Sequence, residues 1–151
     1  MKQAAVATFK NYIQPVFRRP EFVQAGALCV KPGSSGPEVL LISNAKGKRW
    51  IVPKGWPMDG RTLAEAAEQE AWEEAGVRGT LHPKSEGDFV YSKMVKDGIP
   101  VSCRCLLYRI DVEDLADDWP EKTRRTRAWF TPADAVKRVS EPSLRALLQK
   151  V

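Results

Sequence analysis

The chain has 151 residues, 43% of them hydrophobic and 28% charged, which is enough apolar material to bury one core and excludes a disordered chain, so a single globular domain is expected. A formal charge of +5 favours a polyanionic partner, whether a phosphate-rich metabolite, a nucleic acid or an anionic surface, and does not choose among them. No stretch has the apolar length of a membrane span or signal sequence, and Cys29, Cys103 and Cys105 sit in strand-like settings without metal spacing, so the reading is a reduced, cytoplasmic protein without a membrane partner.

Residues 1–20 form a lead that accommodates a short helix before Pro15 and carries the Arg18-Arg19 pair, and the domain proper is expected over 21–151. Glu21 to Val30 predicts a strand, with Glu38 to Ser43 as its hairpin partner across the turn-rich KPGSSGP. A basic turn then leads into the short strand Trp50-Ile51-Val52, which aims the following loop and brings Lys48, Arg49 and Lys54 near it.

That loop, Gly55-Trp56-Pro57-Met58-Asp59-Gly60, precedes the most informative stretch of the chain. Thr62 with Glu65 three residues on is a capping box, Gly76 is a helix terminator, and between them Leu63, Ala64, Ala67, Ala71 and Ala75 recur at helical spacing. The helix should therefore lay a narrow stripe of small residues against a sheet. Glu74 falls inside that stripe, with Glu70 one turn before it and Glu73 one step round. Bare carboxylates in that position would cost on the order of several kcal/mol in desolvation and mutual repulsion, so a cation is required among them. Hard oxygen donors at this density suit magnesium or manganese rather than zinc.

Two further strands are predicted over 88–95 and 101–110, joined by a Lys96-Asp97-Gly98 turn with Lys93 and Lys96 near its tip, and His82 is expected to be exposed in the loop before them. An acidic run, 111–118, leads to Trp119-Pro120-Glu121 and a strand from Arg125 to Phe130. Alternation there puts Arg125, Arg127 and Trp129 on one face, either as a second basic patch or as a charged edge strand. Thr131-Pro132-Ala133-Asp134 opens an amphipathic helix that breaks at Pro142 and resumes to Val151, covering the other face of the sheet.

The helix and its loop resemble the signature of the Nudix hydrolases: Gly, five residues, Glu, seven residues, then Arg-Glu-apolar-any-Glu-Glu-any-Gly-apolar. Gly55, Glu70, Ala71, Glu73, Glu74, Gly76 and Val77 match in register, while Arg61 stands at the first Glu position and Gln69 at the Arg position. From about Gln24 to Val139 the chain looks most like the diphosphoinositol polyphosphate phosphohydrolase branch and its bacterial relatives. The resemblance implies an α/β/α sandwich with a mixed β-sheet between helices. It also implies Mg2+-dependent, or Mn2+-dependent, hydrolysis of a phosphoanhydride in a dinucleoside polyphosphate, an inositol pyrophosphate or a nucleoside diphosphate derivative.

By the same resemblance, the Gly55 carbonyl with Glu70, Glu73 and Glu74 would hold the metal, and Glu73 would accept the proton from the attacking water. Glu121 is a second candidate for that role. Arg49, Lys54, Lys93, Lys96 and Arg125 would bind the substrate phosphates. Gln69 grips Glu73 less firmly than the family's guanidinium would, unless Arg61 compensates from the loop. This motivates a second class of function, a catalytically weak module that binds a phosphate ligand. A third reading, removal of pyrophosphate from an RNA 5′ end, has less support because the basic residues lack interleaved exposed aromatics. Nothing in the sequence fixes an oligomeric state.

Overall fold

A computed structural model describes residues 22–44, 49–94 and 98–151. The predicted lead helix, the Arg18-Arg19 pair, Glu21, Lys48 and Lys96 lie outside the described residues. In chain order the elements are β1 (Phe22–Gly33), β2 (Gly36–Ser43), β3 (Trp50–Ile51), β4 (Lys54–Gly55), α1 (Leu63–Ala75), β5 (Val77–Met94), β6 (Pro100–Leu115), β7 (Thr126–Phe130), α2 (Pro132–Arg138) and α3 (Pro142–Leu148).

The sheet is mixed, as expected. Its order is β3-β2-β1-β6-β5, with β4 paired to β1 and β7 to β2. β1 and β6 run parallel, from Phe22↔Cys103 to Val30↔Asp111, and the other pairings are antiparallel. The continuous apolar run of β1 is explained by burial on both faces. Ala25, Ala27 and Cys29 join Leu40 and Ile42 beneath the alanines of α1. Leu28 and Val30 join Val39, Leu41, Phe89 and Leu107 beneath Ala135, Val139, Leu144 and Leu148 of the C-terminal helical segment. The sheet thus lies between helices, and the three cysteines are buried free thiols within it.

Four sequence expectations need correction. The strands of the first hairpin extend to Gly33↔Gly36, leaving only Ser34-Ser35 as its turn; Gly36 adopts φ 123°, which a side chain would resist. β5 begins directly after α1 rather than near residue 88, because register shifts around Gly79, Ser85 and Gly87 absorb the residues that break its alternation. His82 consequently lies within a strand and not in a loop, with its Nε2 2.6 Å from Asp111 Oδ2. β6 likewise continues into the acidic run, where the Thr80 hydroxyl donates to Glu113 at 2.7 Å across the ladder.

Candidate functional site

The loop is set by backbone pairing. β4 pairs with β1 through Ala25↔Gly55 and Gly26↔Lys54, which holds Gly55 at the rim of the sheet, and α1 returns over it. Both halves of the capping box form: Glu65 N–H donates to Thr62 Oγ1 at 3.1 Å and Thr62 N–H donates to Glu65 Oε1 at 2.8 Å. Gly76 terminates the helix with φ 68° and ψ 29°. Ala64, Ala66, Ala67, Ala71 and Ala75 are buried; having no longer side chains to hold the helix away, they let it approach the sheet and carry its glutamates with it.

The last carbonyls of α1 are taken by the segment after β6. Glu121 N–H donates to Glu73 O at 2.9 Å, Trp119 Nε1–H to Glu74 O at 3.0 Å and the Arg127 guanidinium to Ala75 O at 2.7 Å. Groups that would otherwise be orphaned at a helix end are thereby satisfied, and Glu121 is brought to the carboxylates. Arg127, stacked 3.8 Å from the centroid of Trp119, is thus a helix-end clamp rather than part of a phosphate patch. Trp129 packs into the core on the α1 side. β7 pairs only with β2 among the described residues, so it is an edge strand.

Glu74 is 6% exposed. Its Oε1 accepts from Lys54 N–H at 3.1 Å and its Oε2 from Arg125 at 3.2 Å, while Arg125 Nε–H also donates to Glu121 Oε1 at 3.3 Å. The cation required beside Glu74 is therefore supplied, as the chain stands, by Arg125. Glu73 Oε2 accepts from Gln69 Nε2 at 2.7 Å, and Gln69 Oε1 in turn accepts from Arg61 at 3.5 Å. Both departures from the motif lie in one relay that ends on Glu73.

Glu70 makes no hydrogen bond or ion pair among the described residues. It lies against Gly55 so closely that a Cβ there would overlap its carboxylate. Burial, then the charges of Glu74, Glu73 and Glu121, push Glu70 up to about 7. Glu74 is also raised, its burial outweighing the help of Arg125 and the Lys54 amide. Among the described residues no three His, Cys, Asp or Glu side chains converge as ready ligands; Glu74 is bonded to Arg125 and the Lys54 amide, and Glu73 to Gln69. The donor set nonetheless fits a hard divalent cation: an unpaired carboxylate beside a glycine backbone, with three more carboxylates whose charges it feels.

Next to these carboxylates is a cleft of about 390 Å³ lined by Asn44, Arg49, Ile51, Lys54, Tyr91, Ser92, Lys93 and Arg125. Four of the five expected phosphate-binding residues thus come together from β4, β5, the position directly before β3 and the segment before β7; the fifth, Lys96, is outside the described residues. Lys54 Nζ lies 4.6 Å from the Tyr91 ring centroid, and burial pulls its ammonium below the ordinary lysine value against the opposing charge of Glu74. Arg49 donates to Glu141 Oε2 at 2.9 Å. Sequence reasoning missed Asn44, Tyr91 and Ser92, which carry no local motif, and the Tyr91 hydroxyl that donates to buried Gln24. It also missed the buried Glu141 and the contact between Phe22 and Trp56, both products of tertiary folding.

The NUDIX domain family model matches residues 22–151. Nudix hydrolase 12, mitochondrial, of Arabidopsis thaliana is 35% identical over 103 residues, covering 66% of this chain and 51% of that protein. Diphosphoinositol polyphosphate phosphohydrolase 3-alpha of Homo sapiens is 34% identical over 117 residues, covering 76% of this chain and 66% of that protein. The chain spans about half to two thirds of the length of these relatives. Among solved structures, a C. elegans Ap4A hydrolase in a binary complex superposes with a TM-score of 0.60 at 24% identity, covering 85% of this chain and 93% of that one, a likeness of fold.

Proposed function

The chain belongs to the Nudix family, and from that premise we propose that it is a magnesium-dependent hydrolase of phosphoanhydride bonds in small polyphosphorylated molecules. One observation carries the reading: Glu70, half-buried and without a hydrogen-bond or ion-pair partner among the described residues, sits against Gly55 among three further carboxylates, beside a cleft lined by four cationic side chains. A phosphoanhydride presents negative oxygens to any nucleophile, so catalysis needs positive charge on the phosphates and a base for water. The two halves of the site match those needs.

In this proposal Glu70, Glu73 and Glu74 with the Gly55 carbonyl hold Mg2+, or Mn2+ in its place. A divalent ion bound there supplies charge neutralisation on the anhydride and a more acidic water. Arg49, Lys54 and Lys93 hold the phosphate chain in the cleft, with Lys96 as a further candidate. Arg125, which lines the cleft and donates to Glu74 at 3.2 Å, would bind a substrate phosphate there. Glu73 accepts the proton of the attacking water, oriented by Gln69, and Glu121 stands by as the second acceptor. The 21–151 segment is the working domain and 1–20 its lead. Among the described residues no helix is long and apolar enough to cross a membrane; we place the protein in the cytoplasm.

The test is chromatographic detection of the phosphorylated products of anhydride cleavage from dinucleoside polyphosphates, inositol pyrophosphates, ADP-ribose and triphosphate-ended RNA, with and without magnesium. Cleavage of a small polyphosphorylated compound only when magnesium is present is the expected result, and cleavage unaffected by chelation contradicts it. A second reading, a binding module with little turnover, is favoured by Gln69 and by the Arg125 contact that occupies Glu74. Tight binding of the same compounds without cleavage would support that reading.

A further inference from the structure

Two carboxylates are buried among the described residues, Glu74 of α1 and Glu141, each 6% exposed. Glu141 occupies the N-cap position of α3, yet its side chain makes no cap hydrogen bond, and glutamate is not among the residue types that cap well. Its Oε2 accepts instead from Arg49 at 2.9 Å and from the Ser140 hydroxyl at 3.4 Å, and its buried Oε1 has no hydrogen-bond partner among the described residues. A buried carboxylate with an unpaired oxygen is a liability for stability. The partner it does hold has a side chain 63% exposed, and pairs open to solvent contribute little. Stability does not account for a glutamate here.

The basic cleft does. Arg49 lines that cleft, whereas Glu141 lines an adjoining cavity of about 590 Å³ that shares Arg49, Tyr91 and Ser92 with it. We propose that Glu141 is a positioning residue for phosphate binding: it holds one nitrogen of the Arg49 guanidinium, so that the remaining N–H groups are presented to the polyphosphate in the cleft. This rests on the reading of the cleft as a polyphosphate site.

The anchor is fixed on several sides. Pro142 favours the extended backbone that Glu141 adopts, with φ −79° and ψ 118°. Leu144 and Leu148 are fully buried in the layer beneath α3. The Ser143 hydroxyl accepts from Val90 N–H of β5 at 3.0 Å, and Arg145 Nε–H donates to Val139 O at 2.8 Å, which ties α3 to the sheet and to the end of α2. Arg49 stands directly before the two-residue strand β3 with most of its side chain in solvent. An arginine loses rotamer freedom when it grips a ligand, and one held beforehand loses less. A guanidinium carries five N–H donors in a planar fork, so the bond to Glu141 leaves enough of them to take a phosphate through two parallel bonds.

Charge alone would act with the opposite sign. Glu141 puts a negative charge beside a polyanion site, so if charge were its whole effect its removal would strengthen phosphate binding. Positioning makes removal weaken it, and only while Arg49 is present.

The experiment is calorimetric titration of linear inorganic tripolyphosphate, in chelator at low ionic strength, into the full chain and into Glu141→Gln, Glu141→Leu, Arg49→Ala and the Glu141→Leu, Arg49→Ala pair. Glu141→Leu should weaken binding by at least roughly fivefold, and Glu141→Gln, which keeps an acceptor without its charge, by less. In the Arg49→Ala background, Glu141→Leu should cause no further loss. Thermal melts should place neither Glu141 variant below the wild type, and NMR relaxation should show the Arg49 Nε–H more mobile in both. Unchanged or tighter binding by Glu141→Leu, or an equal loss with and without Arg49, overturns this inference and leaves the cleft reading standing. Variants that melt well below the wild type would make Glu141 a structural residue instead. No binding of tripolyphosphate by the wild type defeats the inference and the cleft reading together.

Discussion

Glu70 is the residue at which the electrostatics are most exposed. Its raised value, about 7, means that the folded, metal-free protein holds a proton that the unfolded chain, with an ordinary glutamate, releases near 4.5. Stability linked to this group is therefore fully present below the unfolded value and is lost as pH rises through the folded one. We expect denaturation midpoints in chelator to fall between about pH 5 and 8, and magnesium to flatten that fall by stabilising the ionised form. Urea titrations at four pH values, with and without metal, test this; a midpoint that rises with pH in chelator would contradict it.

Gln69 sits between a donor and an acceptor, taking a bond from Arg61 and giving one to Glu73. A guanidinium at position 69 would grip Glu73 with charge-assisted bonds about twice as strong as neutral ones. Placed there alone, however, it would face Arg61. Gln69→Arg together with Arg61→Glu should therefore raise kcat by more than the two single changes combined, with KM little altered, because small displacements of a catalytic group cost on the order of a hundredfold in rate. A double-mutant cycle measures that coupling, and purely additive effects would mean that the relay does not limit the reaction.

At the scale of elements, α1 was the most legible part of the chain. Its cap, stop and alanine stripe are short-range patterns, and they fix which face the helix buries. Removing the cap with Thr62→Ala should cost about 1 kcal/mol in thermal or denaturant unfolding, since Glu65 N–H then loses its acceptor; a change near zero would place the start of the helix under tertiary control. The strands were less legible. β5 hides behind Gly79, Pro83 and Gly87, which read as loop signals, and its pairing with β6 becomes apparent only when the register shifts are included. Arg127 shows the same limit, because alternation correctly gives its face but cannot reveal that the Ala75 carbonyl needs a donor there.

For the whole molecule, the sheet is a septum between two apolar layers, and the site lies along its rim where α1, β4 and the segment before β7 converge. Phe89 is fully buried in the layer under α2 and α3. Phe89→Ala should destabilise the protein by about 3–5 kcal/mol without altering the charges of the site, so any activity that survives in cooled samples should retain its KM. A large KM change in folded protein would show that this layer supports the cleft as well as the core. The layered architecture and the carboxylate helix could be read from sequence because both are periodic. The cleft could be anticipated only in part, since Arg49, Lys54, Lys93 and Arg125 were singled out by charge and resemblance whereas Asn44, Tyr91, Ser92 and the Phe22–Trp56 pair depend on long-range pairing.

The account as a whole depends on Glu70 being a metal ligand. Calorimetric titration of magnesium into the wild-type chain and into Glu70→Gln, at a pH where Glu70 is ionised once metal is present, tests this most directly. The change keeps the shape of the side chain beside Gly55 and removes its charge. The expected result is measurable binding to the wild type, with proton release that depends on buffer, and loss of at least about tenfold in affinity for a Glu70→Gln protein that melts no lower than the wild type in chelator. Equal magnesium affinity in the two proteins would contradict the assignment of the carboxylate helix as the metal site.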